Sequence, residues 1–305
     1  MNVLIAGGAG SVGQDLAEAL LKKGHQIRVF DKRSAALPRG IEFVQGRLED
    51  SSLVAGALRG VDTVVNLAWS FSDNPAELLD SDLKGHVALL EACAAAGISR
   101  LVYASTAVVY GKPVQVPIVE DAPCLVEEAR KPFYAVAKLS AEKLALAYWT
   151  TRKVPVTIFR FWWSFGQKIG GRHLRDMMTQ AQAGQLLAVP ADAGGSFLDH
   201  DDLTHALLLS LQQPGSIGQI FNLSTVYLEW RDVAQMIIEA AGSSSRLEVV
   251  PPAAWHGAQF LSDRWDLSAA KAEKAFGYRS LFTQEAARQR LLQAIRRGRE
   301  DVKAA

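Results

Sequence analysis

A tyrosine and a lysine four residues apart give this sequence a pair of groups that could transfer a proton. Tyr134 and Lys138 lie in "PFYAVAKLSAEK", whose helical pattern places both side chains on one face. A free phenol has a pKa of about 10, and lowering it to about 7 needs about 4 kcal/mol, which Lys138 and a second positive charge could supply together. Tyr134 would then act as a general base for alcohol oxidation and as the acid in reverse. So short a spacing also occurs by chance, and its meaning depends on the other motifs.

Two hydroxyl groups follow a short apolar run in "LVYASTAVVYG". Ser105 and Thr106 stand where this predicted strand ends, and a hydroxyl at the carboxyl edge of a sheet can hydrogen-bond a substrate oxygen. The alternative is that both hydroxyls only cap the end of the strand.

A glycine-rich turn near the start of the sequence predicts a dinucleotide site. Gly7, Gly10 and Gly13 in "VLIAGGAGSVGQDLAEALLKKG" separate a predicted strand from a predicted helix. Such glycines allow a tight turn, close approach of a pyrophosphate and close helix-to-strand packing, with the helix N-terminus facing the anion. We expect Ser11 and Val12, at that N-terminus, to bind the cofactor as well.

The second predicted strand ends in an acidic residue that indicates which dinucleotide is bound. Asp31 follows the glycine turn at about the 20-residue offset of a carboxylate that binds an adenosine ribose. Its charge would repel a 2′-phosphate, so NAD is favoured over NADP. Lys32 and Arg33 come next and could offset that repulsion, or they could simply lie in a solvated turn.

Alternating strand and helix patterns predict the framework that holds these residues. Buried strands that alternate with helices are typical of an α/β fold with a Rossmann-type doubly wound parallel sheet. A smaller C-terminal α+β substrate domain is expected after Gly166. The predicted strands of the first half are 3–6, 26–30, 41–45, 62–68, 100–104 and 154–159, and the predicted helices are 11–23, 86–96 and 132–152.

The second half has shorter elements, and two long loops interrupt the chain at 111–131 and 190–196. We expect a Rossmann domain over 1–166 with a returning segment at about 197–225, and a substrate domain over 167–196 and 226–305. The charged segment 296–303 is expected to be a solvated end. In this half the predicted strands are 186–189, 219–223 and 246–250, and the predicted helices are 172–183, 201–211, 231–241, 268–276 and 283–297.

The overall composition excludes several classes of protein. The 305 residues are 49% hydrophobic and 21% charged, with a formal net charge of +1, which argues against disorder and against nucleic-acid binding. Cys93 and Cys124 are the only cysteines and lack the spacing of a metal site, so we expect reduced thiols, no metal and a cytoplasmic location. No apolar stretch approaches the ~20 residues of a membrane span.

Taken in order, these motifs resemble the extended short-chain dehydrogenase/reductases of the NAD-dependent epimerase/dehydratase family. The resemblance rests on G-x-x-G-x-x-G, the acidic strand end, S-T-x-V-V-Y-G, Y-x-x-x-K and "FLDHDDLTHAL". It implies a catalytic set of Tyr134, Lys138 and Thr106, in which Thr106 contacts the substrate and Lys138 also holds the nicotinamide ribose. It further implies a homodimer formed through the helices that contain residues 89–90 and 139–146.

The predicted cofactor side keeps the family pattern with two departures. Arg47 replaces the acidic residue that is usual near the adenine, although Leu48 beside it could still offer backbone groups. Asn66 stands where a histidine is common. Leu67 and Ala68, after the fourth strand, complete the expected cofactor-binding residues.

The predicted substrate side departs more. In "RFWWSFG" Trp163 replaces an asparagine that lies near the diphosphate in relatives that act on nucleotide sugars, and Gly195 replaces an arginine. Without cations or amide donors in the site, the negative charges of a bound diphosphate would be poorly compensated. The sequence therefore favours a largely uncharged substrate. Dehydration is disfavoured because Ala107 and Val108 replace the acidic pair of dehydratase relatives.

The tryptophans are the main candidates for lining a substrate pocket. Trp163 is favoured for the wall above the nicotinamide, with Trp162 either beside it or packed between the domains. Trp69 and Ser105 are expected on the cofactor side of the same pocket, although Trp69 could equally be packing. Further candidates are Phe165, Trp255 and Phe260.

Three functions remain open from the sequence. The leading hypothesis is a reversible hydride transfer between NAD and a secondary alcohol or ketone of a small, largely uncharged molecule. The first alternative is a sugar or nucleotide-sugar epimerase that retains its NAD. The second is a non-catalytic regulator that senses NAD(H), against which the intact proton-transfer residues argue.

Overall fold

A computed structural model describes residues 1–303 and shows strands and helices in alternation along most of the chain. The strands are β1 (Asn2–Ala6), β2 (Gln26–Asp31), β3 (Ile41–Gln45), β4 (Thr63–Asn66), β5 (Arg100–Ala104), β6 (Val156–Arg160), β7 (Trp163–Phe165), β8 (Leu187–Pro190), β9 (Gly194–Asp199), β10 (Gln219–Asn222), β11 (Val226–Glu229), β12 (Leu247–Val250) and β13 (Arg264–Trp265). The helices are α1 (Ser11–Lys22), α2 (Ser51–Ala57), α3 (Pro75–Glu77), α4 (Lys84–Ala96), α5 (Pro132–Arg152), α6 (Arg172–Gln182), α7 (His200–Leu211), α8 (Trp230–Ala241), α9 (Ala270–Phe276) and α10 (Gln284–Lys303).

The large sheet has seven strands in the order β10-β6-β5-β4-β1-β2-β3, and every pairing in it is parallel. Its central strands are apolar and buried because helices cover both faces, and this is why their sequences are continuous rather than alternating runs of hydrophobic residues. The predicted Rossmann-type α/β fold is confirmed.

The rest of the described chain forms a smaller α+β region. Strand β9 pairs with β7, β11 and β13, β8 pairs with β12, and α6, α8 and α10 pack around a separate hydrophobic core. The long loop predicted at 190–196 is wrong in its second half, because β9 begins at Gly194. A Cβ on Gly194 would lie 2.1 Å from the Leu228 carbonyl oxygen, so glycine is needed where β11 approaches. Because glycine has no side chain, the sequence of β9 lacks the hydrophobic pattern by which a strand is predicted at this position.

The predicted domain boundaries stay a prediction. The structure shows that β10, which lies within the segment 197–225, is an edge strand of the large sheet. Residues 304–305 of the predicted smaller domain lie outside the described residues.

Parallel strands bring the candidate residues to one edge of the large sheet. Gly7 follows β1, Leu67 follows β4, and Ser105 follows β5, and these three strands are neighbours at the point where the strand order reverses. Ligands of doubly wound sheets bind in the crevice at such a reversal. None of the helices within residues 1–303 has the length and apolar character that a membrane crossing requires.

Candidate active site

The glycine turn has the shape that a dinucleotide requires. Gly7 has a φ of +80°, and a Cβ on Gly13 would lie 2.4 Å from the Gly8 Cα, so these two positions need glycine for the turn and for helix packing. A Cβ on Gly10 would meet nothing closer than the Gly7 carbonyl oxygen at 3.4 Å. The space over Gly10 is therefore open to a ligand, and α1 begins there without an acidic residue in its first turn. Ser11 and Val12 are the first two residues of that helix.

Asp31 is held at the end of β2 beside this turn. Its carboxylate accepts hydrogen bonds from the backbone N–H groups of Ala9 at 3.0 Å and Arg33 at 2.9 Å, and it is nearly buried. The Arg33 guanidinium extends back over the turn, since its Nη2 atom lies 3.8 Å from the position of a Cβ on Gly10. Lys32 is exposed. The geometry fits the ribose contact predicted for Asp31.

The other predicted cofactor residues follow the ends of β3 and β4. Arg47 is mostly exposed and pairs with Glu49 at 3.0 Å, while Leu48 packs against α4, where a Cβ on Gly85 would lie 2.8 Å from the Leu48 Cβ. The backbone nitrogen of Ala68 lies 2.6 Å from the position of a Cβ on Gly7, and Leu67 donates its N–H to the Ala6 carbonyl at 2.8 Å. These contacts place the ends of β1 and β4 side by side.

Tyr134, Lys138 and Thr106 come together at the carboxyl edge of β5. Tyr134 and Lys138 are 5% and 4% exposed, and Thr106 is equally buried. The Lys138 Nζ atom donates to the Ala104 carbonyl at 2.9 Å and lies 4.2 Å from the centre of the Trp69 ring and 4.8 Å from that of Tyr103. The sequence therefore identified three side chains that the fold places together.

The electrostatics of this pair differ from the expectation. Burial raises the pKa of Tyr134, Asp82 raises it further, and a hydrogen bond with Thr106 acts in the opposite direction. Burial also lowers the pKa of Lys138 to about 7, while the charges of Asp82 and Glu142 favour the ammonium form. The expected lowering of the phenol pKa is thus not present in the protein alone, because burial and the charge of Asp82 together outweigh the hydrogen bond with Thr106. A positively charged nicotinamide would act in the direction that the sequence predicted.

Asp82 is a site residue that the sequence pattern did not indicate. It lies in a π-helical turn, Leu78–Leu83, that leads into α4, and it accepts hydrogen bonds from the Ser70 hydroxyl at 2.6 Å and the Ser70 N–H at 3.1 Å. Burial raises its pKa, which the Ser70 hydrogen bonds and the charge of Lys138 oppose. No sequence spacing links Ser70 to Asp82, so only the folded chain reveals this contact.

A buried ion pair connects the carboxyl ends of β5 and β6 to α5. Arg160 donates to Glu142 through Nε at 2.9 Å and through Nη2 at 2.6 Å, and Ser105 donates its hydroxyl to the same carboxylate at 2.5 Å. Ser105 therefore contacts Glu142 rather than an open pocket. Glu142 follows Lys138 by one helical turn, a spacing that could have indicated this role.

Both predicted pocket tryptophans lie in an aromatic cluster of the smaller region. The Trp162 ring stacks on Trp265 with centroids 6.0 Å apart, and the Trp163 ring stacks on Phe197 at 6.1 Å and donates Nε1–H to the Gly170 carbonyl at 2.8 Å. A Cβ on Gly195 would lie 1.8 Å from Trp162, so the Trp162 ring fills the space that a side chain at position 195 would need. Phe165 is completely buried in the adjoining core.

A cationic cavity of about 370 Å³ lies between the loop that leads into α5 and the start of α6. Lys112, Arg130 and Arg172 line it, and none of them forms an ion pair within the described part of the chain. The Arg130 guanidinium lies 4.4 Å from the centre of the Phe260 ring, which was among the predicted pocket residues. Neither Trp162 nor Trp163 lines this cavity.

The charges in the cavity repel one another. Burial lowers the pKa of Arg130 and the charge of Arg172 lowers it further, while burial and then the charge of Arg130 lower the pKa of His173. Two carboxylates, Glu128 and Asp263, also line the cavity, and burial raises the pKa of Asp263. An anionic ligand would relieve this repulsion. The sequence missed the cavity because its cations come from separate loops.

His200 and Asp202 make structural contacts between elements. His200 lies 2.6 Å from Asp15 of α1 through Nδ1 and 3.3 Å from the Ser164 hydroxyl through Nε2, and Asp202 accepts hydrogen bonds from Ser280 and Leu281. Over the described residues no group of three or more His, Cys, Asp or Glu side chains is arranged to hold a metal ion.

Comparisons with known proteins establish the family. The family model for the NAD dependent epimerase/dehydratase family matches residues 3–224. A UDP-glucose 4-epimerase of Corynebacterium glutamicum is 28% identical over 307 residues, covering 91% of this chain and 90% of that enzyme. A UDP-glucose 4-epimerase of Streptomyces lividans is 39% identical over 133 residues, but the match covers only 39% of this chain and 40% of that enzyme.

Solved structures agree with this result. The enzyme WbmG of Bordetella bronchiseptica, in complex with NAD and UDP, is 26% identical, with a TM-score of 0.81 over 99% of this chain and 97% of that one. The chain belongs to the NAD-dependent epimerase/dehydratase family, which confirms the resemblance drawn from the motifs. It is therefore an enzyme of the extended short-chain dehydrogenase/reductase type, and its cofactor is NAD.

Proposed function

We propose that this protein is an epimerase that retains NAD and inverts a hydroxyl-bearing carbon of the hexose in a UDP-sugar. The observation that carries the proposal is the cavity lined by Lys112, Arg130 and Arg172, two of them unpaired arginines that can bind a diphosphate. The relatives that are UDP-glucose 4-epimerases support the same substrate class. This replaces the preference for an uncharged substrate, which relied on the missing family arginine and asparagine and overlooked cations from other loops.

The cavity and the catalytic residues adjoin along the chain. Lys112 follows the short helical turn that begins after Thr106, and Arg130 lies four residues before Tyr134. If these cations bind the diphosphate of a UDP-sugar, the attached hexose would lie near the Tyr134 side chain. A volume of about 370 Å³ is in the range of small-molecule pockets.

The catalytic residues would act on a single oxygen of the hexose. Tyr134 takes the proton from the hydroxyl group, and Thr106 donates a hydrogen bond to the same oxygen as its charge changes. Lys138 stabilises the phenolate form in which Tyr134 accepts this proton, and it can do so because its ammonium is fixed by the Ala104 carbonyl. The oxidation leaves Tyr134 as a neutral phenol, which returns the proton when the ketone is reduced. NAD, held by the glycine turn and Asp31, supplies the hydride acceptor and donor.

The proposal is tested by incubating the NAD-bound protein with UDP-glucose and following the sugar by NMR. We expect the C4 epimer to accumulate while the absorbance of reduced cofactor shows no net change. Net formation of reduced cofactor would instead indicate a dehydrogenase. If neither conversion of UDP-glucose nor binding of UDP is detected, the proposal is wrong.

We also propose a homodimer that uses the outer faces of α4 and α5. These two helices pack side by side. Leu89 and Leu90 are completely buried within the protomer, so the contact would involve outward residues such as Glu91 and Lys143. The mass of the protein in solution, measured by light scattering, tests this assembly.

A further inference from the structure

The segment after β4 covers both members of the catalytic pair with aromatic rings. Trp69 lies against the Lys138 ammonium, and two residues later Phe71 stacks on the Tyr134 ring with centroids 5.7 Å apart and an interplanar angle of 15°. Tyr134 itself has little contact with solvent, since it is 5% exposed. The Phe71 ring therefore forms the outer boundary of the phenol.

The backbone of this segment is held by polar contacts at three points. Asp82 binds the N–H and hydroxyl of Ser70, the Lys131 Nζ atom donates to the Phe71 carbonyl at 2.8 Å, and Asp73 accepts the Tyr134 N–H at 3.3 Å. All three contacts connect residues 70–73 to elements that carry or adjoin the catalytic pair. The position of Phe71 is thus fixed relative to Tyr134.

Local preference does not explain the conformation of Phe71, and its stacking on Tyr134 leaves most of the ring uncovered. Its φ is +56°, a left-handed conformation that a bulky residue rarely adopts, and its side chain is 69% exposed. A large apolar ring that is displayed to solvent from an unfavourable backbone gains little from folding. Conformations of this kind are concentrated at functional sites, where the surroundings impose them.

We propose that Phe71 is a substrate-contacting residue that packs on the apolar C–H face of the hexose and sets the affinity for the sugar. This inference rests on the proposed function, because a pyranose ring has such a face and a free nucleotide does not. An aromatic ring at this place orients the sugar toward the Tyr134 hydroxyl and excludes water from the reacting oxygen. The cationic cavity and Phe71 would then bind different parts of one substrate.

The test compares UDP-glucose with UDP by calorimetric titration of the NAD-bound protein. In Phe71→Ala we expect the affinity for UDP-glucose to fall by about three- to tenfold, the size of one aromatic contact, while the affinity for UDP is unchanged. Phe71→Gly removes the same ring but tolerates the positive φ, so it separates loss of the ring from disturbance of the segment. Phe71→Tyr, which keeps the ring, should retain the parent affinity.

A matched control is Phe133→Ala, which removes an equally large ring that is 54% exposed and adjacent to Tyr134 in sequence, without stacking on it. We expect no change in either affinity for this variant. If Phe71→Ala and Phe71→Gly bind UDP-glucose as tightly as the parent, or lose UDP equally, the role of Phe71 is refuted while the proposed function stands. If the parent binds UDP-glucose no more tightly than UDP, the role of Phe71 in affinity is refuted, whereas the proposed function is refuted only if UDP-glucose is neither bound nor epimerised.

Discussion

At the scale of single residues, the proposed substrate class depends on a few cations that have no ion-pair partner among the described residues. Arg130 and Arg172 repel each other in the cavity, and each has a guanidinium that can donate two parallel hydrogen bonds to a phosphate. The loss of either arginine should therefore weaken the binding of a diphosphate.

We expect Arg130→Ala and Arg172→Ala each to raise the Kd for UDP by about 10- to 100-fold, the usual effect of a hydrogen bond to a charged group. Their affinity for NAD should stay within a factor of about two. The control is Arg279→Ala, since Arg279 is a highly exposed arginine whose one ion pair among the described residues is with Glu273. Calorimetric titration of the three variants measures the difference, and equal UDP binding in all three would exclude the cavity as the nucleotide site.

Sequence patterns identified the residues whose roles depend on local spacing. Tyr134 and Lys138 are one helical turn apart, and Thr106 follows a buried strand, so parallel strands and a helix bring them together without further information. The hydrogen bonds between Ser70 and Asp82 join a loop to a π-helical turn, and the repulsion between Arg130 and Arg172 acts between a loop and the start of α6. No periodic pattern in the sequence encodes such distances between elements. For the same reason the tryptophans of "RFWWSFG" were recognised as unusual, but their packing against Phe197 and Trp265 was not.

At the scale of elements, the turn between β1 and α1 contains one glycine expected to bind the cofactor, Gly10, and one needed for packing, Gly13. Gly10→Ala adds a methyl group into open space, whereas Gly13→Ala places one against the Gly8 backbone. We expect Gly10→Ala to keep the Tm of the protein and to lose about tenfold or more in NAD affinity. Gly13→Ala should lower the free energy of unfolding by about 1–3 kcal/mol. Thermal unfolding and NAD titration distinguish the two variants, and the reverse pattern would contradict the assigned geometry.

His86 connects three elements and makes their packing sensitive to pH. Its Nδ1 atom lies 3.0 Å from the Asn66 amide nitrogen of β4, and its Nε2 atom lies 3.1 Å from the Ala141 carbonyl of α5. Burial lowers its pKa to about 4, so the folded protein holds this imidazole neutral while the unfolded chain binds a proton below about pH 6.5. Stability is therefore lost as the pH falls from about 6.5 to 4.

We expect His86 to account for about 3 kcal/mol of the stability lost over that interval. As the pH is lowered from about 6.5 to 4, the free energy of unfolding measured with urea should decrease less in His86→Gln than in the parent protein. The glutamine amide can still donate to the Ala141 carbonyl, and it does not titrate. Parallel pH profiles for the two proteins would show that another group is responsible.

The positions of most large-sheet strands were also predictable, because many are short apolar runs bounded by glycine or polar residues. The extents were less so, since β4 spans Thr63–Asn66 rather than 62–68 and β6 spans Val156–Arg160 rather than 154–159. The smaller region was harder to predict. Strand β9 contains two adjacent glycines that the close approach of β11 and Trp162 requires, and their lack of side chains removes the pattern by which strands are recognised.

At the scale of the whole molecule, the large sheet would position the cofactor, and the proposed substrate cavity combines Lys112 and Arg130 of the larger region with Arg172 of the smaller one. His200 links the two regions, since it joins Asp15 of the helix that begins at the glycine turn to Ser164 of β7. Arg172 and Phe260 come from the smaller region, while Tyr134, Lys138 and Thr106 come from the larger one. A substrate that bridges both regions needs a charged end and a reacting alcohol, and a sugar nucleotide has both.

The most direct test of proton transfer by Tyr134 is a rapid-mixing measurement of cofactor absorbance with UDP-glucose. In the parent enzyme we expect a transient band of reduced cofactor that decays as the C4 epimer forms. In Tyr134→Phe we expect the band to appear about 100-fold more slowly or not at all, with the Kd for NAD unchanged. A Tyr134→Phe variant that reduces its cofactor at the parent rate would show that the phenol is not the group that moves the proton.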